Sequence, residues 1–315
     1  MDNLIFCMNA TLPIFFVMAA GYLMQVFGLM DDHFVDILNK FNYKITLPLL
    51  LFFDIYNSDF VEVWDTRFVL FCFFATLICI CVIWLLTRIF LRDKMEVGEF
   101  TQAAYRGSAA VLGIAFIQNI YGSSTIAPLM IIGTVPLYNI MAVIILTFTG
   151  PKGHKPDRAG IQKSLTDIVT NPIILGILMG VFASVLHVKL PFLITKTGSY
   201  FYNIATPLAL IGLGAGFEGA KALKEVKATL VCSFIKLLVQ PALFLPAAIY
   251  FGFTGEKMVA LLIMLGAPTT VSCYIMARNM EHRGVLTSSV VAASTFLGSF
   301  SLTFWLYFLR SRGLI

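Results

Sequence analysis

Ten long apolar stretches, separated by short polar breaks, cover almost the whole chain. A helix needs about 20 apolar residues to cross the hydrocarbon core of a bilayer, and in lipid it satisfies its own backbone hydrogen bonds. Each stretch is therefore predicted to be one membrane-spanning helix. The ten predicted spans are 4–28, 34–56, 67–90, 99–120, 125–149, 166–187, 192–217, 227–251, 257–278 and 285–309.

The composition supports this prediction. Hydrophobic residues make up 59% of the chain and charged residues 12%, against roughly 25% charged residues in soluble domains. One soluble core could not bury so much apolar surface. A soluble enzyme, a nucleic-acid-binding module and a secreted disulfide scaffold are therefore excluded. We expect an all-α polytopic protein of the cell (inner) membrane, surrounded by the lipid bilayer, with no nucleic acid among its partners.

The basic residues predict the orientation in the membrane. Lys and Arg side chains are enriched in cytoplasmic loops. With both termini outside, the inner loops hold about twice as many of these side chains as the outer segments. The predicted topology is therefore multi-pass, with the N-terminus and the C-terminus outside and a cytoplasmic loop over residues 150–165.

Proline and glycine residues recur at one spacing in the two halves of the chain, since 172 − 13, 207 − 48 and 266 − 107 all give 159. The pairs are Pro13 with Pro172, Pro48 with Pro207, and Gly107 with Gly266. The halves, 1–149 and 166–315, hold five predicted spans each. Because five is odd, the second half enters the membrane from the opposite side. The pattern predicts a 5+5 inverted repeat, a construction typical of secondary transporters.

Spans 4 and 9 are predicted to be broken helices. Gly107 and Gly113 interrupt span 4, and Gly266 and Pro268 interrupt span 9. Gly costs about 1 kcal/mol in a helix interior, and Pro removes a hydrogen-bond donor. The alternative interpretation is that such small residues only allow close helix packing. That interpretation is preferred for two GxxxG pairs, Gly176 with Gly180 and Gly212 with Gly216.

Polar side chains at these two breaks form the candidate substrate site, because inverted-repeat carriers bind their substrates near broken helices. Hydroxyls, amides and free N–H groups at helix breaks can hold a carboxylate. Arg106 and Lys236 lie within spans and could attract the same anion, although Arg106 could instead extend to the headgroups. The candidate residues are Ser108, Gly113, Gln118, Asn119, Pro268, Thr269, Thr270, Ser272, Lys236 and Arg106.

Acidic residues are absent from the middle of every predicted span, and Asp54 is the nearest to an exception. This pattern argues against a proton relay built on a deep carboxylate. The four histidines are scattered over loops, so neither a metal site, a cofactor site nor a catalytic site is predicted. An intramembrane enzyme is disfavoured for the same reason. A membrane-embedded anion receptor that binds without transport remains the alternative to a carrier.

Three segments resemble the auxin efflux carrier family. Residues 39–52 are similar to its Asn-(Arg/Lys)-Phe…Val-Pro-Leu-Leu-x-Phe segment, and residues 268–277 to its ninth span. Gly113-Ile114 and Tyr121-Gly122 are in register with its crossover helix. Ser108 and Ala115 depart from the Asn and Pro that the family usually has. A long polar central loop is lacking, so the chain resembles a compact prokaryotic permease.

The resemblance implies a fold like that of NhaA-type antiporters and bile-acid symporters, with crossed broken helices in spans 4 and 9. Spans 1, 2, 6 and 7 would form a scaffold and the contact of a homodimer. Spans 3–5 and 8–10 would form a moving transport domain, which implies elevator-type alternating access. The implied substrate is a small organic carboxylate anion, either a malonate- or malate-like dicarboxylate or an auxin-like monocarboxylate.

Overall fold

The computed structural model describes residues 13, 16–57, 64–109, 117, 120–121, 126–150, 166, 169–217 and 219–315. The helices in chain order are α1 (Phe16–Val26), α2 (Asp32–Phe41), α3 (Leu47–Tyr56), α4 (Thr66–Phe90), α5 (Lys94–Tyr105), α6 (Ala127–Thr149), α7 (Pro172–Val185), α8 (Phe192–Ala215), α9 (Gly219–Ala222), α10 (Val226–Phe234), α11 (Gln240–Tyr250), α12 (Glu256–Gly266), α13 (Ser272–Asn279) and α14 (Val285–Ser311). Two π-helical turns, Asn42–Thr46 and Ile235–Val239, join α2 to α3 and α10 to α11.

The described part of the chain is all-helical, which confirms the predicted class of fold. Four of its helices are long and apolar enough to cross a membrane: α4, α6, the continuous run Leu223–Tyr250, and α14. The helices α1 and α7 are shorter apolar helices. Side chains such as Leu85 and Ile89 of α4 stay exposed, which suits a face turned to lipid. The ten-span, 5+5 arrangement stays a prediction.

Short polar side chains determine where several helices begin. Asp65 accepts hydrogen bonds from the N–H groups of Arg67 and Phe68, and so caps α4. Asp93 caps α5 in the same way. Asn171 caps α7, and the next residue, Pro172, has no N–H group to satisfy.

The helices pack mainly in two groups. One group contains α2 and α3 with α7 and α8, and the other contains α4, α5, α6, α10, α11, α12 and α14. The short helix α13 contacts both groups, since it packs on α2 and α8 as well as on α5, α6 and α14. The helix α6 also packs on α7, so the two groups meet at α13 and along this pair. A region where two groups of helices meet is a natural place for a solute site between them.

The helix α7 lies directly against the backbone of α3. A Cβ atom added at Gly176 would lie 2.5 Å from the Pro48 carbonyl oxygen, and one at Gly180 would lie 2.9 Å from that of Phe52. Both distances are too short for any side chain to fit without movement of the backbone. The first GxxxG pair is therefore a helix-packing face, as its spacing indicated.

Candidate functional site

The helices α5 and α12 end at one place in the structure. The residues that follow them, Arg106 and Ala267, have extended backbone conformations. Gly107 and Thr269 then face each other as an isolated antiparallel bridge, and the Ser108 N–H donates to the Pro268 carbonyl at 2.9 Å. This pairing satisfies backbone groups that the helix ends leave free, as a buried site requires.

Side chains hold the two chain segments together at this meeting point. The Thr269 hydroxyl donates to the Ala103 carbonyl at 2.8 Å, and the Thr269 N–H donates to the Ser294 hydroxyl at 3.0 Å. The Gln102 amide donates to the Cys273 carbonyl at 3.0 Å. Only 2% of Thr269 is exposed, so its hydroxyl serves the backbone connection.

A cavity of about 160 Å³ lies beside the bridge. It is smaller than the roughly 300–1,000 Å³ pockets that hold drug-sized ligands, so it suits a small solute. Its walls come from α3, α6, α8 and α14 in addition to the two breaks. The lining residues from the breaks are Arg106, Gly107, Ser108, Ala109, Pro268, Thr269, Thr270, Val271 and Ser272.

The guanidinium of Arg106 is the buried cation of this cavity. Only 2% of Arg106 is exposed, so the side chain does not extend to the headgroups. Its Nη2 donates to the Asn139 amide oxygen at 2.7 Å and to the Ser272 hydroxyl at 2.9 Å, and its Nη1 lies 2.8 Å from the Met276 sulfur. These partners are neutral, and the buried Nε has no hydrogen-bond partner among the residues that the structure describes. The cavity is also lined by Asp54, and a bound anion would add a negative charge directly beside the guanidinium.

Six of the ten candidate residues line the cavity. They are Arg106, Ser108, Pro268, Thr269, Thr270 and Ser272. The hydroxyls of Thr270 and Ser272 lie 3.2 Å apart, so one can donate to the other and both can turn to a ligand. Three further candidates, Gly113, Gln118 and Asn119, lie outside the described residues.

The tenth candidate, Lys236, is not brought to the cavity. It lies in the π-helical turn between α10 and α11 and is fully buried behind Gly107. Its ammonium donates to the carbonyls of Leu265 at 2.8 Å and of Tyr105 and Met264 at 3.2 Å. The break of α5 therefore separates the two cations, with Arg106 on the cavity side and Lys236 on the opposite side.

Sequence reasoning missed some residues of this region. Asn139 of α6 is 2% exposed and accepts a hydrogen bond from Arg106. Its position as a lone Asn within an apolar span could have indicated a buried polar contact. Asp54 of α3, noted in the sequence as the nearest exception among the acids, lines the cavity. Glu99, at the predicted start of span 4, is buried, and its carboxylate accepts hydrogen bonds from the N–H groups of Gly284 and Thr287. Its position near a span end therefore did not make it exposed.

A small cavity with a buried guanidinium, at the breaks of two helices in an apolar helical protein, defines a membrane protein with an internal solute site. The model of the membrane transport protein family matches residues 6–306. The chain belongs to this family, the family of the auxin efflux carriers, which confirms the resemblance seen in the sequence. The protein is accordingly a multi-pass membrane transporter of a small-molecule substrate.

A relative in Methanocaldococcus jannaschii supports the same class. The chain is 23% identical to an uncharacterized transporter of that organism over 301 residues, which covers 92% of this chain and 94% of the relative. The similarity extends over nearly the whole of both proteins, so it includes both broken helices.

Proposed function

We propose that the protein is a secondary transporter of a small organic carboxylate anion and that Arg106 binds the carboxylate. The observation that carries the proposal is the buried Arg106 guanidinium, which faces the cavity with neutral hydrogen-bond partners. A charged side chain inside a membrane protein is costly and usually belongs to a substrate or ion pathway.

The chemistry of the cavity favours a carboxylate. A guanidinium offers parallel N–H donors that match the two oxygens of a carboxylate. The hydroxyls of Ser108, Thr270 and Ser272 line the same cavity and can donate to the second end of a short dicarboxylate. The cavity volume of about 160 Å³ favours malonate- or malate-like anions over larger ones.

The arrangement of helices supports elevator-type alternating access. The cavity lies between α3 and α8 on one side and the two breaks on the other. In the proposal, spans 1, 2, 6 and 7 form a fixed scaffold, and spans 3–5 and 8–10 carry the bound anion across the membrane. Strong contacts within each group and few between them would allow such a movement.

The proposal also includes the membrane arrangement. The protein would lie in the cell (inner) membrane with both termini outside and form a homodimer through the scaffold. Large apolar side chains such as Phe182 and Phe192 are exposed on α7 and α8, where a second copy could pack. Labelling of a cysteine added at the C-terminus with a membrane-impermeant reagent tests the orientation. Mass measurement in lipid nanodiscs tests the dimer.

Uptake by purified protein in liposomes tests the function. The panel contains malonate, malate, succinate, citrate, lactate and indole-acetate as labelled compounds. Each is offered to the wild type, to Arg106→Gln and to Arg106→Lys. Arg310→Gln, at the exposed end of α14, is the matched control because it also removes one guanidinium.

Saturable uptake of one anion by the wild type and by the control is expected. Loss of a hydrogen bond to a charged group costs about 1.5–3 kcal/mol, so Arg106→Gln should raise the half-saturating concentration about 10- to 100-fold. The half-saturating concentration of Arg106→Lys should lie between those of the wild type and Arg106→Gln, because lysine keeps the positive charge but lacks the paired N–H donors of a guanidinium. Normal uptake by Arg106→Gln would refute the site. Binding of an anion without uptake would support the receptor alternative.

A further inference from the structure

Lys236 lies in a cage of oxygen atoms. Its ammonium contacts the carbonyl oxygens of Tyr105, Met264 and Leu265 at 2.8–3.2 Å and the amide oxygen of Gln240 at 3.5 Å. The side chain is fully buried. Three of the four oxygens are backbone groups, so the cage forms a coordination shell like that of a bound cation.

The cage lies where the C-terminal ends of α5 and α12 come together. Tyr105 is the last residue of α5, and Met264 and Leu265 are in the last turn of α12. Carbonyls of a last turn have no partner within their own helix, and the helix dipole places partial negative charge on them. Two such ends close together in an apolar interior repel each other unless a cation lies between them.

The neighbouring residues make room for this cation. A Cβ atom at Gly107 would lie 3.1 Å from the Lys236 Nζ, so any side chain there would crowd the ammonium. Lys236 is the second residue of the π-helical turn Ile235–Val239, and such turns are frequent at functional sites. Gln240 also donates to the Ala104 carbonyl at 2.6 Å, which fixes its side chain beside the cage.

We propose that Lys236 is the resident cation of this meeting point and occupies the place of a coupling sodium ion. In inverted-repeat carriers, unwound carbonyls and the C-terminal ends of half-helices coordinate such an ion. The tethered ammonium supplies the same charge permanently. On the basis of the proposed function, the inference is that anion transport proceeds without Na⁺.

Sodium binding to purified protein tests the proposal without any organic anion. We would measure ²²Na⁺ binding and the melting temperature in NaCl and in choline chloride. The variants form a matched pair: Lys236→Ala removes the ammonium and opens the cage, and Lys236→Met removes the charge but fills the space. Lys196→Ala, a lysine at the Tyr200 ring outside the cage, controls for the loss of a lysine.

The wild type and Lys196→Ala should melt at the same temperature in both salts and bind no ²²Na⁺. Lys236→Ala should bind Na⁺ saturably and melt at least about 3 °C higher in Na⁺ than in choline, because a ligand of the folded state stabilises it. Lys236→Met should show neither effect, because its side chain occupies the cage.

Two results would overturn the proposal. One is saturable Na⁺ binding by the wild type. The other is a folded Lys236→Ala that binds no Na⁺ and melts equally in both salts. If neither cage variant folds, the measurements on the wild type test the proposal. An equal melting temperature in both salts without ²²Na⁺ binding supports it, and saturable ²²Na⁺ binding refutes it. Absence of anion uptake by the wild type would refute the proposed function and leave these binding results in force.

Discussion

Arg106 donates from Nη2 to the Ser272 hydroxyl across 2.9 Å and so joins the end of α5 to the start of α13. The two residues are 166 positions apart in the chain. Each follows a helix break, and each belongs to a different half of the sequence. The contact holds the guanidinium at the cavity wall, so the position of the buried charge depends on both halves.

Substitution of Ser272 should weaken substrate binding. Ser272→Ala removes one hydrogen bond of the guanidinium, which is worth about 1.5 kcal/mol, so the half-saturating concentration for uptake should rise about tenfold. Ser311→Ala is the matched control, because that residue is exposed and its hydroxyl donates to the Phe308 carbonyl of its own helix end. Equal half-saturating concentrations for the two variants in liposome uptake would contradict a role of Ser272 in the site.

Two neighbouring threonines should give different results. Thr269→Val loses the bond to the Ala103 carbonyl and leaves that group unsatisfied, which should cost about 1–3 kcal/mol of stability and lower the melting temperature. Among the described residues, Thr270→Val loses the side-chain contact with Ser272 and no contact with a backbone carbonyl, so it should melt normally and show a raised half-saturating concentration. Melting curves and uptake of both variants check this. The reverse pattern would show that the wrong hydroxyl has been assigned to the ligand.

Substitution of Gly176 should disrupt the packing of α7 on α3. In Gly176→Ala the new Cβ would lie 2.5 Å from the Pro48 carbonyl oxygen, and such overpacking costs about 1–3 kcal/mol. Gly219→Ala is the control, because the nearest described atom outside its chain neighbours and its own helix backbone is in the Phe217 ring, 3.9 Å from the added Cβ. We expect a lower melting temperature for the first variant alone. Equal melting of both variants would mean that α7 moves away from α3 without cost.

Acid should weaken the contact between Asp65 and Lys257. The Lys257 ammonium, 2.6 Å from the carboxylate, lowers the pKa of Asp65, and the N–H groups that Asp65 caps lower it further while partial burial raises it. The pKa in the folded state is therefore below the unfolded value of about 3.9. The contribution to stability is present above that value and is lost as the pH falls through the folded pKa.

Melting temperatures between pH 7 and pH 3 test this dependence. The wild type should lose its advantage over Asp65→Asn as the pH falls below about 4. The difference should stay below about 1 kcal/mol because both side chains are partly exposed to solvent. A constant difference between the two proteins across this range would show that the ion pair contributes nothing.

Local residue chemistry determined much of what could be predicted. The apolar stretches indicate helices in lipid wherever they occur, and Gly107 and Gly266 weaken a helix whatever surrounds them. The structure has helix ends directly before Arg106 and at Gly266. The family segments were visible for the same reason, because each is a short run of residues.

Only the tertiary structure decided which polar group faces the cavity. Arg106 and Lys236 are both cations within predicted spans, yet one lines the cavity and the other binds the carbonyls of two helix ends. Thr269 and Thr270 are adjacent and both line the cavity, but the Thr269 hydroxyl binds the Ala103 carbonyl, whereas the Thr270 hydroxyl contacts that of Ser272. Glu99 is buried because α14 begins against it. The partners that make these differences lie far away in sequence, so local pattern could not assign them, and only the folded chain brings those groups within hydrogen-bond distance.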